Sequence, residues 1–326
     1  MKNLKVLVTG AGGFIGSHVC ESLLKMGNTV KALVHYNSRN SWGWLEQSYY
    51  LKEIQIVTGD IRDFDTVREV SQKQDVIIHL AALIGIPYSY RTQDAYVATN
   101  INGTLNILKA AREYDVKRVI HISTSEVYGT AQYVPIDERH PINPQSPYAA
   151  TKASADFLAL AFQKSFGTPV SIVRPFNNYG PRQSARAVVP TIITQILQGK
   201  RMIKLGSVDT TRDMVYVKDT VNGIIKVIES ENTIGEIVHI GTNRDISIYE
   251  LAMLIASLMK CMIQIEYDPE RARPEKSEVK KLIADITKIK NIVGWEPSMT
   301  LEEGLLETIN WFQDNKSVFK TDIYNI

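Results

Sequence analysis

Short runs of β-branched and aliphatic residues recur through the first half of the chain, at Lys5 to Thr9, Thr29 to Val34, Ile54 to Thr58, Val76 to Leu80 and Arg118 to Ser123. Between them lie segments with apolar residues at helical spacing, such as Gly16 to Met26 and Asn100 to Tyr114. Strands that are apolar almost throughout bury both faces, and intervening helices supply the crossovers that parallel pairing needs. The pattern predicts an α/β fold built on a Rossmann-type, doubly wound parallel sheet. A sixth strand is expected at Val170 to Arg174 and another at Ile237 to Gly241.

After Arg174 the pattern changes. Loops rich in Pro, Asn, Gly and Arg (Pro175 to Arg186, Gly206 to Asp213, Tyr267 to Ser277) surround short helical patterns. This reads as a smaller, discontinuous C-terminal substrate-binding lobe rather than a second independent core. The expected division is a larger domain over residues 1–174, with a return segment at about 214–245, and the smaller lobe over 175–213 and 246–326.

Composition narrows the classes. A chain of 326 residues with 44% hydrophobic content can bury a sizeable core. Lys plus Arg number 37 against 35 Asp plus Glu, a net charge of +2, so nothing electrostatic recommends nucleic acid or an anionic membrane as partner. Cys20 and Cys261 lie far apart without metal-ligand spacing, and buried free thiols in a reducing compartment are expected. Met1 leads straight into an apolar strand, with no signal-peptide pattern, and Val188 to Gln198 is too short to span a bilayer. A cytoplasmic protein is expected.

The chemistry begins at Thr9-Gly10-Ala11-Gly12-Gly13-Phe14-Ile15-Gly16, between the first strand and the first helix. Gly10, Gly13 and Gly16 permit the tight turn, the approach of backbone to a pyrophosphate, and close helix–strand packing. The helix N-terminus then offers free N–H groups to phosphate. An acidic residue usually closes the second strand to hold the ribose of NAD. Here His35-Tyr36-Asn37-Ser38-Arg39 stands in its place, so NAD is the first expectation and NADP stays open, with His35 or Arg39 able to meet a 2′-phosphate. Asp60, before Ile61, either bonds the adenine amino group or is a turn residue.

Tyr148 and Lys152 share a helix face behind Pro147, and of the fifteen tyrosines only Tyr148 has a lysine four residues on. An ammonium there can lower the phenol's pKa and make it a base for a hydroxyl proton as hydride leaves the same carbon. The fifth strand ends in Ser123-Thr124-Ser125-Glu126. Thr124 can bond the reacting oxygen, and Glu126 can remove a carbon-bound proton that a neighbouring ketone has made acidic. Taken alone, Glu126 would more often be an ordinary solvated carboxylate. His79 and His121 lie in apolar strands and are expected to be satisfied core residues. No metal constellation and no Ser–His–Asp arrangement is seen.

Gly10-x-x-Gly13-x-x-Gly16, His79-Leu80-Ala81-Ala82, Asn100-x-x-Gly103-Thr104, Tyr148-x-x-x-Lys152 and Arg174-Pro175-Phe176-Asn177-Asn178-Tyr179-Gly180-Pro181-Arg182 stand in the order of the extended short-chain dehydrogenase/reductase family, which the whole chain resembles. The resemblance implies that Phe14, Ile15, Ile61, Leu80, Ala81, Ala82 and Asn100 join the glycines, His35, Asp60, Tyr148 and Lys152 around the cofactor. Thr124-Ser125-Glu126 is similar to the triplet of nucleotide-sugar 4,6-dehydratases and is also met in UDP-glucuronate decarboxylases. Ala82 to Tyr90, His35 to Ser38 and Gln183 to Pro190 resemble UDP-N-acetylglucosamine 4,6-dehydratases of legionaminic-acid-type pathways. That group implies oxidation at C4, loss of water across C5 and C6, and return of hydride to C6. In members with Thr-Asp-Glu the Asp donates a proton to the leaving hydroxyl. Ser125 is a far poorer acid, so Glu126 or a water held by Ser125 takes that role.

The same resemblance implies that Asn177, Asn178, Arg182, Arg212 and Arg273 hold the diphosphate and sugar, while Val189 borders the nucleobase. For each arginine the alternative is a surface charge. The apolar second face of the Tyr148 helix implies either a homodimer, with Asn100 to Tyr114 as its partner, or deeper burial within the monomer. A UDP-sugar 4-epimerase or UDP-glucuronate decarboxylase is the competing enzyme, and a non-catalytic NAD(P)-binding sensor is the reading from another class.

Overall fold

Burial on both faces produces the alternation that orders the sheet. The computed structural model describes residues 2–319. Its main sheet comprises β1 (Lys5–Thr9), β2 (Thr29–His35), β3 (Gln55–Gly59), β4 (Val76–His79), β5 (Arg118–Ile122), β6 (Val170–Pro175) and β7 (Ile237–Ile240). The strands pair in parallel in the order β7-β6-β5-β4-β1-β2-β3. Val6, Ile78 and Ile120 enter one core while Leu7, Ile77 and Val119 enter the other, the two-residue period of a pleated strand. Helices Phe14–Lys25 and Val217–Glu229 cover the first face; Phe64–Ser71, Gly103–Glu113 and Pro147–Phe166 cover the second.

All seven expected strands form, with ends displaced by one residue at most. The Asn100 to Tyr114 helix forms differently: Val97–Asn102 is a wide π-helical turn that leads into Gly103–Glu113. That turn sends the Asn100 amide towards Leu83 and Thr151, and such turns recur at functional sites.

Besides Val217–Glu229, the later half contributes the helices Val188–Leu197, Ile248–Leu258, Thr287–Val293 and Leu301–Asp314 and several short strands. Ile192, Ile255, Leu305 and Phe312 belong to the same apolar cluster as Val6 and Ile78, so this part and the first sheet face share one core. Asn177–Tyr179 pairs in parallel with Met214–Tyr216, and Thr211–Arg212 lies between Ile246–Ser247 and Lys281–Leu282. Cys20 is buried as expected, whereas Cys261 is only half-buried, at the end of a surface helix. No helix among the described residues is long and apolar enough to cross a membrane.

Strand order reverses between β1 and β4. Ligands of open α/β sheets bind at the carboxyl ends of strands at such a switch point, and Gly10 and Leu80-Ala81 stand there.

Candidate active site

Gly10 leaves β1 with φ +68, and a Cβ on it would sit 2.8 Å from the Ala81 nitrogen. Only glycine fits that backbone. Gly13 N donates to the Gly10 carbonyl at 3.1 Å, which closes the turn. Gly13 also caps the following helix without any side-chain hydrogen bond, so the first-turn N–H groups stay open to an anion. Phe14 and Ile15 start that helix. At β4, His79 Nδ1 meets Thr9 Oγ1 at 2.8 Å and Nε2 meets Thr104 Oγ1 at 3.1 Å, so His79 is satisfied in the core. Asn100 accepts from Leu83 N at 2.9 Å and donates to Thr151 Oγ1 at 3.0 Å, joining the loop after Ala82 to the helix of Tyr148. The open turn and uncapped helix fit a dinucleotide pyrophosphate.

At the adenosine end, His35 Nδ1 lies 4.0 Å from Asp60 Oδ2. Arg62 grips the Asp60 carboxylate, with Nε at 2.9 and 3.0 Å, and holds its pKa below the usual range. Ile61 is buried against Gly103, where a Cβ would collide with it. Sequence reasoning missed the loop above this turn: Trp44 N donates to the Gly12 carbonyl at 3.0 Å.

The catalytic candidates converge at the end of β5. Thr124 adopts an extended backbone and its hydroxyl accepts from Glu126 N at 3.2 Å, capping the tight turn Ser125–Tyr128. Its side chain lies near enough to the Tyr148 phenol to oppose the effect of burial on it. Ser146 caps the helix Pro147–Phe166 by accepting from Ala149 N at 3.1 Å, which places Tyr148 in the first turn. The phenol packs with Ile86 and Tyr96. Burial pushes its pKa above the ordinary tyrosine value, with Thr124 opposing. The expected lowering by Lys152 is therefore corrected: Lys152 Nζ donates to the Ile122 carbonyl at 2.6 Å, and its own pKa falls to about 8 through burial, with Asp156 opposing.

Ser125 and Glu126 are both buried. Arg273 Nη1 stands 3.5 Å from Glu126 Oε1 and 3.9 Å from Glu278 Oε1, and Arg212 Nη2 stands 3.4 Å from the same Glu278 oxygen. This alternating chain links Arg212 and Arg273 through Glu278 to Glu126, and neither arginine is a plain surface charge. Arg273 and Glu278 also line an open cleft of about 600 Å³ with Ser207, Asp209, Tyr267 and Lys280. Asn177 Oδ1 is buried without a hydrogen-bond partner.

Other expected residues lie elsewhere. Arg182 is ion-paired at 2.8 Å with Glu21 of the first helix. Asn178 is committed to the Phe176 carbonyl and to Thr220. Val189 is fully buried in the main core, so its side chain does not face the cleft. His121 is likewise buried in the core, with Nε2 3.3 Å from Asp156 Oδ1. Asp156 itself was missed, and its spacing of four from Lys152 was the available signal. Among the described residues no group of three or more His, Cys, Asp or Glu is placed to hold a metal.

Residues 7–308 match the family described as GDP-mannose 4,6 dehydratase. The chain belongs to this family. It is thereby a member of the extended short-chain dehydrogenases/reductases that act on nucleotide-sugars as dehydratases and epimerases. It is 32% identical over 321 residues to the dTDP-glucose 4,6-dehydratase of Streptomyces niveus, covering 96% of this chain and 94% of that one. The structure of the Streptomyces venezuelae dTDP-glucose 4,6-dehydratase, with NAD bound, matches at a TM-score of 0.87 and 30% identity, covering 97% of this chain and 99% of that one. A UDP-N-acetylglucosamine 4-epimerase from Methanobrevibacter ruminantium, in complex with UDP-N-acetylmuramic acid, matches at 0.87 and 31%, covering 97% and 100%. NAD in the dehydratase neighbour agrees with the first expectation from the glycine-rich turn.

Proposed function

We propose that this family member is an NAD-dependent 4,6-dehydratase that converts UDP-N-acetylglucosamine to the 4-keto-6-deoxy sugar. The observation that carries this is Glu126, a buried carboxylate on the same turn as Thr124 and close enough to act electrostatically on Tyr148. An epimerase needs no such group. The likeness to an epimerase of UDP-N-acetylglucosamine supports the sugar class.

In this reading residues 1–174, with the return segment 214–245, form the dinucleotide lobe, and 175–213 with 246–326 form the sugar lobe. Gly10, Gly13, Gly16, Phe14 and Ile15 hold the pyrophosphate; His35, Asp60 and Ile61 the adenosine; Leu80, Ala81, Ala82, Asn100 and Lys152 the remaining half. NAD, when bound, supplies the redox chemistry, taking the C4 hydrogen with its electron pair and giving it back at C6. Tyr148 accepts the proton of the 4-hydroxyl, with Thr124 bonded to the same oxygen. The new ketone acidifies C5–H, and Glu126 removes that proton. Ser125 is a weak acid, so Glu126 hands the proton to the C6 hydroxyl, which leaves as water; when hydride returns to C6, Glu126 passes a proton taken from solvent to C5, and the proton held by Tyr148 goes to solvent. Arg212, Arg273 and Asn177 bind the diphosphate and sugar, bidentate arginines suiting phosphate. The enzyme works in the cytoplasm as a homodimer.

Supplying UDP-N-acetylglucosamine in heavy water and following the sugar by NMR and mass spectrometry tests this. Loss of water with deuterium at C5 is expected, and Glu126→Gln should slow it by about 100-fold or more. An unchanged mass with inverted C4 would sink the dehydratase.

Arg273 beside Glu126 favours a second reading, in which that cation receives the C6 carboxylate of UDP-glucuronate. Turnover of UDP-glucuronate that survives Glu126→Gln would promote it.

A further inference from the structure

Segments far apart in the chain meet beside the Glu126 turn through the side chains of Ser277 and Gln145. The Ser277 hydroxyl donates to the Gln145 carbonyl, and because its one proton is used there it accepts from the Tyr90 hydroxyl, at 2.6 Å. The Gln145 side chain donates from Nε2 to the Lys276 carbonyl at 2.9 Å and accepts from Thr130 N through Oε1. Thr130 lies just beyond the turn Ser125–Tyr128 that carries Glu126, and Gln145 precedes Ser146, the cap of the Tyr148 helix. Tyr90 ends the short helix Ile86–Ser89 that follows β4.

These bonds hold the stretch that bears Arg273. Pro274 has a fixed φ, and Ser277 N and Glu278 N both donate to the Pro274 carbonyl, at 2.8 and 3.0 Å, so residues 273–278 form one tight turn. Val279 beyond it is buried with Val127 and Tyr128, which fixes one end. Arg273 at the other end reaches Glu126 across 3.5 Å. Arg273 and Pro274 line a cavity of about 160 Å³ with Pro87 and Tyr90, while Arg273, Glu275 and Glu278 line the larger cleft. The turn borders both spaces, and Ser277 fastens it to Tyr90 and Gln145.

We propose that Ser277 is a positioning residue: with Tyr90 and Gln145 it latches the Arg273 turn beside Glu126, so that the oxidised sugar stays bound until hydride returns to it. The inference rests on the reading of this site as a 4,6-dehydratase. In that reaction one sugar passes through oxidation, loss of water and reduction without leaving. Its C4 carbon has given up its hydrogen with an electron pair, so a sugar that escapes as the ketone leaves the nicotinamide reduced. Escape must break the diphosphate contact of Arg273, and a closed segment commits the substrate. Tyr90, Gln145 and Ser277 have no proton to move in the chemistry above. Their bonds do what a free loop could not, which is to keep the Arg273 cation in one place through the whole sequence.

The test gives UDP-N-acetylglucosamine to the NAD-loaded enzyme, reading reduced nicotinamide by its near-ultraviolet absorbance and the released sugar by mass spectrometry. Ser277→Ala should raise the share of turnovers that end in escape about tenfold, the effect of two lost hydrogen bonds. Reduced cofactor is then stranded on the enzyme, and the released ketone has not regained its hydride. Tyr90→Phe keeps the bond to Gln145 and should raise escape about threefold. A folded Ser277→Ala enzyme that strands no more reduced cofactor than the wild type overturns the proposal, whatever happens to its rate. Should Ser277→Ala fail to fold, Tyr90→Phe decides in the same terms. Hydrogen exchange at the Ser277 and Glu278 amides is followed alongside: faster exchange in Ser277→Ala supports the latch, and equal exchange overturns it. If the wild type acts on no nucleotide-sugar, the functional reading fails, while the exchange measurement still judges whether Ser277 holds the turn.

Discussion

Gly10 shows how one backbone position couples two strands to the cofactor. Its φ of +68, and the 2.8 Å that would separate an added methyl from the Ala81 nitrogen, leave an alanine two penalties. The left-handed conformation costs about 1–2 kcal/mol, and the methyl must push the chain after β1 and β4 apart at the proposed dinucleotide site. Gly10→Ala is expected to lower the melting temperature and to weaken NAD binding at least about tenfold, since each 1.4 kcal/mol is a factor of ten. Calorimetric titration with NAD checks this; unchanged affinity would mean that the turn does not hold the pyrophosphate. Spacing alone made Gly10, Tyr148 and Lys152 legible, because the turn and the helix impose fixed periods. The direction of the Lys152 side chain was not legible. It depends on the Ile122 carbonyl, thirty residues earlier in the chain. Arg182 and Val189 were likewise legible as motif members while their partners, Glu21 and the main core, were set by packing.

At the scale of elements, the helix Pro147–Phe166 is the part on which the proposed reaction depends. Its start is fixed by Ser146, whose hydroxyl accepts from Ala149 N, and by Pro147, which lacks the N–H that a first turn leaves unused. Tyr148 follows at once, so fraying of this turn would release the phenol from Thr124. Ser146→Ala should cost about 1 kcal/mol of stability and slow turnover severalfold without changing substrate affinity. Thermal unfolding and steady-state kinetics separate the two effects; a lower stability with unaltered turnover would show that the cap does not position Tyr148. The strands and this helix could be read from hydrophobic period, since burial on both faces marks each one. The π-helical turn at Val97–Asn102 could not, because Asn100, Leu83 and Thr151 specify it through tertiary hydrogen bonds.

Across the whole molecule, the apolar surface left uncovered bears on assembly. Along the helix Pro147–Phe166 the exposed residues include Ala150, Phe157 and Ala161, which recur on one face. Phe157 is 56% exposed, Phe166 is 50% exposed, and Val97 on the neighbouring turn is 43% exposed. The inner face of the same helix already packs on the sheet through Ala159, so deeper burial within the monomer does not account for the outer one. In a homodimer the two helices of each subunit would pack against their copies, each interface burying two Phe157 rings by symmetry. Burying a phenylalanine is worth about 1.5–3 kcal/mol, and a carboxylate in its place adds desolvation. Phe157→Glu should therefore weaken the proposed homodimer about 100-fold or more, through about 3 kcal/mol or more summed over two copies. Sedimentation at a concentration where the wild type is dimeric should show half the mass, with the secondary structure retained. A Phe157→Glu protein that keeps the wild-type mass would move the interface elsewhere. Tyr148 and Lys152 lie on this helix, so the experiment also reads whether assembly supports the site: a monomer with full activity would make the dimer independent of catalysis.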